Sequence, residues 1–147
     1  MEISTKRGDN GKTFYKSNKV NKSDERIEFI GAIDELQVAL GGIEVRSEEV
    51  NEYIKEIQAD IFKLYSDRIF PDDVKKIEEI QADLSKYVRF DWDLTTPKSF
   101  PVDFARVTVR KVERKYWNLD GYEKLNENIA KYLNRLSDLL WIIGRIV

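Results

Sequence analysis

Three arginines, Arg106, Arg110 and Arg114, recur at i, i+4 and i+8 with Glu113 beside them. On a helix this spacing stacks three guanidinium groups along one face. Their planar forks suit carboxylate or phosphate oxygens. A solvated face of local ion pairs is the competing reading. A second set is TKRGDNGKT, Thr5 to Thr13, where Gly8 and Gly11 stand among Lys6, Arg7 and Lys12. Such glycines let backbone N–H groups form a nest for phosphate, with cations around it; a polar, mobile terminus is the alternative. Gly11-Lys12-Thr13 does not close a Walker A loop, because Lys6 stands where that motif needs its first glycine. A third set is YLNRLSD, Tyr132 to Asp138, with Asn134 and Asp138 four apart on one face. An amide lowers helix propensity, so one placed mid-helix points to a contact. Finally Asp34 lies beside the Ile33/Leu36 stripe, close enough to a buried face to need a cation. Arg106 is one candidate partner.

The composition restricts what these residues can do. The chain has 147 residues, no Cys and no His. That excludes disulfides, a thiolate nucleophile, Cys-based metal centres, an imidazole base and a Ser-His-Asp triad. Chemistry here must run on Asp, Glu, Lys, Arg, Asn, Ser, Thr and Tyr, which favours positioning and charge stabilisation. With 25 Lys+Arg against 27 Asp+Glu the net charge is −2, too balanced for a nucleic-acid partner. The longest apolar run, Leu139 to Ile143, is far short of a membrane span. MEISTKRGDN carries no hydrophobic signal region. A cytoplasmic protein with no membrane partner is expected.

The length fits one domain over residues 1–147. Residues 1–21 show no helical period and read as a loop or extended arm. Ile27, Ile30, Ile33, Leu36, Leu40 and Ile43 predict a first helix, capped by Ser23 or Asp24 and ending at Gly41-Gly42. Ser47 opens a second, with Val50, Ile54, Ile57, Ile61 and Leu64 inward. Pro71-Asp72-Asp73 opens a third, carrying Val74, Ile77, Ile80, Leu84 and Val88. Residues 90–101 break the period with two prolines and hold three bulky aromatics, so they pack over or bind something. A fourth helix is expected over about Val102 to Leu119, with Val102, Ala105, Val109, Val112 and Tyr116 inward. The fifth should begin near Tyr122 and carry Leu125, Ile129, Leu133, Leu136, Leu140 and Ile143. The fold class is therefore all-α: a single antiparallel five-helix bundle, of the ferritin-like four-helix-bundle type with an extra helix.

TKRGDNGKT, NKSDERIEFIGAIDEL, IQADIF, ARVTVRKVER and YLNRLSDLL, taken in order along nearly the whole chain, resemble the PduO-type ATP:cob(I)alamin adenosyltransferase family. The last two segments are the most specific. The resemblance implies a five-helix bundle assembled as a homotrimer, with active sites between subunits. The reaction it implies moves the 5′-deoxyadenosyl group of ATP to cob(I)alamin and releases triphosphate. Reduced cobalt is itself a strong nucleophile, so the absence of His and Cys is no obstacle. The resemblance further implies that Thr5, Lys6, Arg7, Gly8 and Thr13 wrap the ATP phosphates with help from Lys22. Arg110, Lys111, Glu113 and Arg114 would line the nucleotide site, with Arg110 stabilising the leaving group and Glu113 placing Mg²⁺ on the triphosphate. Asn134 would complete the ATP contacts. Asp34 and Arg106 would form a supporting charge pair across the subunit boundary, and Phe90 would lie at the corrinoid. A corrinoid reductase is a possible partner.

The chain departs from the family pattern at four places. Gln37-Val38 follows Asp-Glu-Leu, Arg110-Lys111 replaces a double Arg, LTTPKS stands for a Pro-Gly-Gly-Ser stretch, and Asp103 falls near a histidine of many members. The altered Thr95 to Phe100 stretch motivates a second reading. In it, a nucleotide-binding bundle has lost corrinoid chemistry and serves as a sensor or interaction module. A ligand-free structural bundle is the third.

Overall fold

The computed structural model describes residues 2–88 and 99–146. A hairpin of β1 (Lys12–Tyr15) and β2 (Asn18–Asn21) precedes five helices: α1 (Glu25–Gly41), α2 (Glu48–Lys63), α3 (Pro71–Ser85), α4 (Phe100–Trp117) and α5 (Glu127–Ile146). A 3-10 turn, Leu64–Ser66, extends α2. Helix α4 packs between α1 and α5, α5 also packs on α3, and α1 on α2. The five-helix bundle is as expected.

The core stripes of α2 and α4 are those of the sequence: Val50, Ile54, Ile57, Ile61 and Leu64, then Val102, Ala105, Val109, Val112 and Tyr116, are all buried. On α3 the first four expected residues are buried, while Val88 lies beyond the helix and half-buried. On α1 the stripe is rotated. Phe29 and Ala32 are buried and Ile27 and Ile30 sit at its edge. Phe29 meets the ring of Tyr116 on α4 at 5.3 Å, an aromatic contact that turns α1 toward α4.

Local chemistry sets the helix ends. Ser47 Oγ accepts the Val50 N–H at 3.3 Å, and Pro71 supplies the first residue of α3, where Asp73 accepts the Phe70 N–H at 2.9 Å. Helix α5 starts five residues later than the periodicity suggests. Asn126 Oδ1 accepts the Asn128 N–H at 2.9 Å, and its Nδ2 donates to Ile69 O at 3.1 Å. Those bonds hold 122–126 as a turn, so Leu125 packs from outside the helix. Gly121, at φ +90, makes the reversal after α4.

The arm holds the main local surprise, the hairpin. Its register pairs Lys12 with Asn21 and Tyr15 with Asn18. Each strand contributes one buried side chain, Tyr15 and Val20, too few to produce visible alternation. Tyr15 Oη donates to Glu123 at 2.5 Å and Lys16 Nζ pairs with the same carboxylate at 2.9 Å. These bonds fasten the hairpin to the α4–α5 turn.

Asp24 caps α1 through the Arg26 N–H at 2.9 Å and grips the Arg26 guanidinium at 2.8 Å. The Arg26 side chain, then its N–H, pulls the Asp24 carboxyl down to about 2. An unfolded Asp titrates near ~3.9, so the folded state binds the proton less tightly. The contribution is complete above about pH 4 and is lost as pH falls toward 2. Urea unfolding at pH 5, 3 and 2 should show the midpoint falling over that window. Asp24→Asn should flatten the fall; an identical pH profile would refute the assignment.

Candidate functional site

A cleft of about 560 Å³ opens between α4 and α5, lined by Arg110, Glu113, Trp117, Glu127, Ala130, Lys131, Asn134 and Arg135. Both helices present it through i, i+3, i+4 spacing: 110, 113 and 117 on α4, and 127, 130, 131, 134 and 135 on α5. The two helices run antiparallel, so Arg110 lies toward Asn134 and Arg135, and Trp117 toward Glu127 and Ala130. Burial of Val109 and Val112 on the other side of α4 fixes this orientation.

Arg110 Nη1 lies 3.6 Å from Glu113 Oε1, with the arginine half exposed and Glu113 at 17% side-chain exposure. The other carboxylate oxygen, Glu113 Oε2, is buried without a hydrogen-bond partner among the described residues. Such an oxygen is an acceptor suited to a donor or hydrated cation from a ligand. Lys131 lies 3.8 Å from Glu127, and Arg135 3.5 Å from Glu78 on α3. The cleft therefore offers guanidinium groups and an ammonium for oxyanions, an amide at Asn134, and a Glu113 oxygen with no partner among the described residues.

Sequence reasoning placed Arg110, Glu113 and Asn134 in one site, and they share this cleft. The other predicted residues are distributed differently. Arg114 is exposed and is not part of the lining. Lys111 crosses to α1 and pairs with Glu35 at 2.7 Å, away from the cleft. Arg106 pairs with Asp103 one turn earlier at 3.1 Å. Asp34 accepts a hydrogen bond from Tyr65 Oη, whose proton is held more tightly through burial and that bond. Within one chain Asp34 and Arg106 thus have separate partners. Phe90 lies outside the described residues.

The arm is turned on itself. Lys6 takes a left-handed φ of 58, Asp9 N–H donates to Lys6 O at 3.3 Å, and Gly11 N–H to Gly8 O at 3.1 Å. A non-glycine residue in this region carries strain, as phosphate-binding loops commonly do. Gly8 and Lys22 come together: a Cβ on Gly8 would lie 2.8 Å from Lys22 Nζ. Thr13 sits in β1 opposite Val20. Among the described residues, no hydrogen bond or ion pair joins Thr5–Gly8 to the Arg110 cleft.

Trp117, Glu127, Lys131 and Arg135 were not singled out from the sequence. Their signal was the shared helical face with Arg110 and Asn134, readable once α4 and α5 are known to be antiparallel neighbours. Among the described residues no group of three or more acidic side chains forms a metal cage, and no helix is long and apolar enough to cross a membrane.

Fold and site together define a helical bundle with a charged cleft between α4 and α5, in which Arg110, Lys131 and Arg135 stand with Glu113 and Glu127. The cobalamin adenosyltransferase family model matches residues 3–147, and the chain belongs to that family. It is 29% identical to a cobalamin adenosyltransferase of Cupriavidus metallidurans, over 99% of this chain and 88% of that protein. Identity with a corrinoid adenosyltransferase of Bacillus subtilis is 26%, over 100% and 86% of the two chains. The fold is also that of a variant PduO-type ATP:corrinoid adenosyltransferase from Lactobacillus reuteri, complexed with cobalamin and ATP. The TM-score is 0.87 at 24% identity, covering 99% of this chain and 92% of that one.

Proposed function

We propose that this protein transfers the 5′-deoxyadenosyl group of ATP to the cobalt of cob(I)alamin or a related corrinoid. In that reaction the cobalt(I) electron pair forms a bond to C5′, the C5′–O5′ bond breaks, and triphosphate leaves. The observation that carries the reading is the convergence of Arg110, Glu113 and Asn134 on one cleft in a chain of this family.

The chain's residues have two tasks. One is to fix the nucleotide so that C5′ faces the corrinoid, worth several orders of magnitude in rate when geometry is tight. The other is to receive negative charge as it collects on the leaving triphosphate. Arg110 serves the second task with a fork aimed into the cleft, and Lys6, Arg7 and Lys22 of the arm add further positive charge. Asn134 holds the nucleotide. Glu113 fits a magnesium role, since its buried Oε2 has no donor among the described residues and a hard cation favours carboxylate oxygen. Mg²⁺ there would neutralise part of the triphosphate charge.

The enzyme acts as a cytoplasmic homotrimer in this reading, with Asp34 of one subunit facing Arg106 of the next. Support comes from the exposed apolar side chains Phe100, Phe104 and Val107 on α4, whose two phenyl rings stack at 5.7 Å. A corrinoid reductase would supply the reduced substrate.

The test is an anaerobic assay with chemically reduced cob(I)alamin and ATP·Mg²⁺, following absorbance as the cobalt–carbon bond forms. Catalysed adenosylcobalamin formation is expected. ATP binding by calorimetry with no catalysis would overturn the transferase reading in favour of a nucleotide-binding module.

A further inference from the structure

Trp117 stands apart from the charged lining of the cleft. It ends α4, and the residue is 56% exposed although it is the largest apolar group there. What sets this exposed indole apart is its place on the lip of a charged cleft, where it offers a flat apolar face to a ligand held by the charges.

The two ends of the cleft differ in what they offer. Arg110 and Arg135 present guanidinium forks beside Glu113 at one end, and at the other Trp117 and Ala130 lie next to Glu127, which Lys131 pairs at 3.8 Å. A triphosphate is drawn to the guanidinium end, which leaves the end with the indole for the apolar part of a ligand. Seven residues separate Arg110 from Trp117, about 10 Å along the helix axis. That is the scale on which a nucleotide's base is separated from its outer phosphates. Ala130 carries nothing beyond Cβ, so this end keeps room for a ring.

We infer that the indole of Trp117 stacks on the base of the bound nucleotide and helps set its orientation in the cleft. The inference rests on the nucleotide-site reading and adds a residue outside the arginine and asparagine set. Stacking on an aromatic side chain favours the larger purine ring. The contact holds the base end of the nucleotide while Arg110 holds the phosphate end, so C5′ is fixed between two anchors.

The experiment is calorimetric titration of the full chain with ATP·Mg²⁺, CTP·Mg²⁺ and magnesium tripolyphosphate, using wild type, Trp117→Phe and Trp117→Ala. Trp117→Ala should weaken ATP about tenfold while leaving tripolyphosphate affinity within about twofold. Trp117→Phe should keep ATP within about threefold of wild type. The wild-type preference for ATP over CTP should narrow in Trp117→Ala. Equal weakening of ATP and tripolyphosphate in Trp117→Ala would overturn the stack while leaving the nucleotide site intact. So would unchanged ATP affinity accompanied by an altered sedimentation state, which would make Trp117 a subunit contact. Binding of neither ATP nor tripolyphosphate by wild type would overturn the nucleotide site and the stack with it.

Discussion

Arg110→Ala should reduce adenosyl transfer by about 10²–10³-fold or more in kcat, with the helical circular dichroism spectrum and melting curve unchanged. The size follows from where charge appears. The triphosphate becomes a leaving group only as the C5′–O5′ bond breaks, so a guanidinium placed for it acts more strongly in the transition state than on bound ATP. The fold should be indifferent, because the Arg110 side chain is half exposed and its partner is Glu113 one turn away on the same helix. Arg110→Lys separates charge from geometry. It keeps a cation and loses the bidentate fork, so intermediate activity is expected. A kcat equal to wild type in Arg110→Ala would remove Arg110 from the mechanism.

Asp60→Ala should produce the largest loss of stability among single changes outside the apolar core. Asp60 is 1% exposed, yet it joins three helices. Its Oδ1 meets Lys63 at 2.9 Å, and its Oδ2 meets Lys76 of α3 at 2.8 Å and accepts the Tyr132 hydroxyl of α5 at 3.0 Å. Lys63 continues the chain of contacts to Asp73 at 2.8 Å. Burial, then Asp60, holds the Tyr132 proton far above the ordinary tyrosine range. Without Asp60, that hydroxyl is left in the core with no acceptor, at a cost of about 1–3 kcal/mol. The two lysines lose less, because each is more than a third exposed and can turn to water. A total of about 2–4 kcal/mol is expected. Thermal melting at fixed protein concentration should fall by roughly 5–15 °C. Asp60→Asn should fall less, since its amide oxygen still accepts from Tyr132. A change in midpoint under about 2 °C for Asp60→Ala would show that the network is not holding the helices together.

Much of the architecture was legible in the chain itself. Stripes at 3- and 4-residue steps located α2, α3 and α4 to within a few residues, because burying one face of a helix demands that period whatever the helix packs against. Caps were similarly readable at Ser47 and Pro71 and, to one of the two residues Ser23 and Asp24, at the start of α1, because a cap acts on backbone within a few residues of itself. The zero counts of Cys and His, and the spacing of Arg106, Arg110 and Arg114, by themselves limit the chemistry open to the chain.

Where a residue's role depends on a partner far along the chain, local pattern was insufficient. The start of α5 was misplaced because Asn126 is held by Ile69 and Tyr116, 57 and 10 residues away. The hairpin escaped notice because Tyr15 and Val20 are buried against the bundle rather than by any repeat of their own. The family resemblance placed Lys111 in the nucleotide site beside Arg110, yet one step along a helix is a 100° turn, which carries it to Glu35 on α1. Sequence by itself determined the five helices, the inward faces of α2, α3 and α4, and a short list of cations and amides able to bind a phosphorylated ligand. Tertiary structure alone decided which of those share a cleft, that Trp117, Lys131 and Arg135 join them, and that Asp60 is buried at the junction of three helices. The physical reason is range: periodicity and capping act within a turn or two, whereas a site is made where antiparallel helices bring residues ten or more apart in sequence onto facing surfaces.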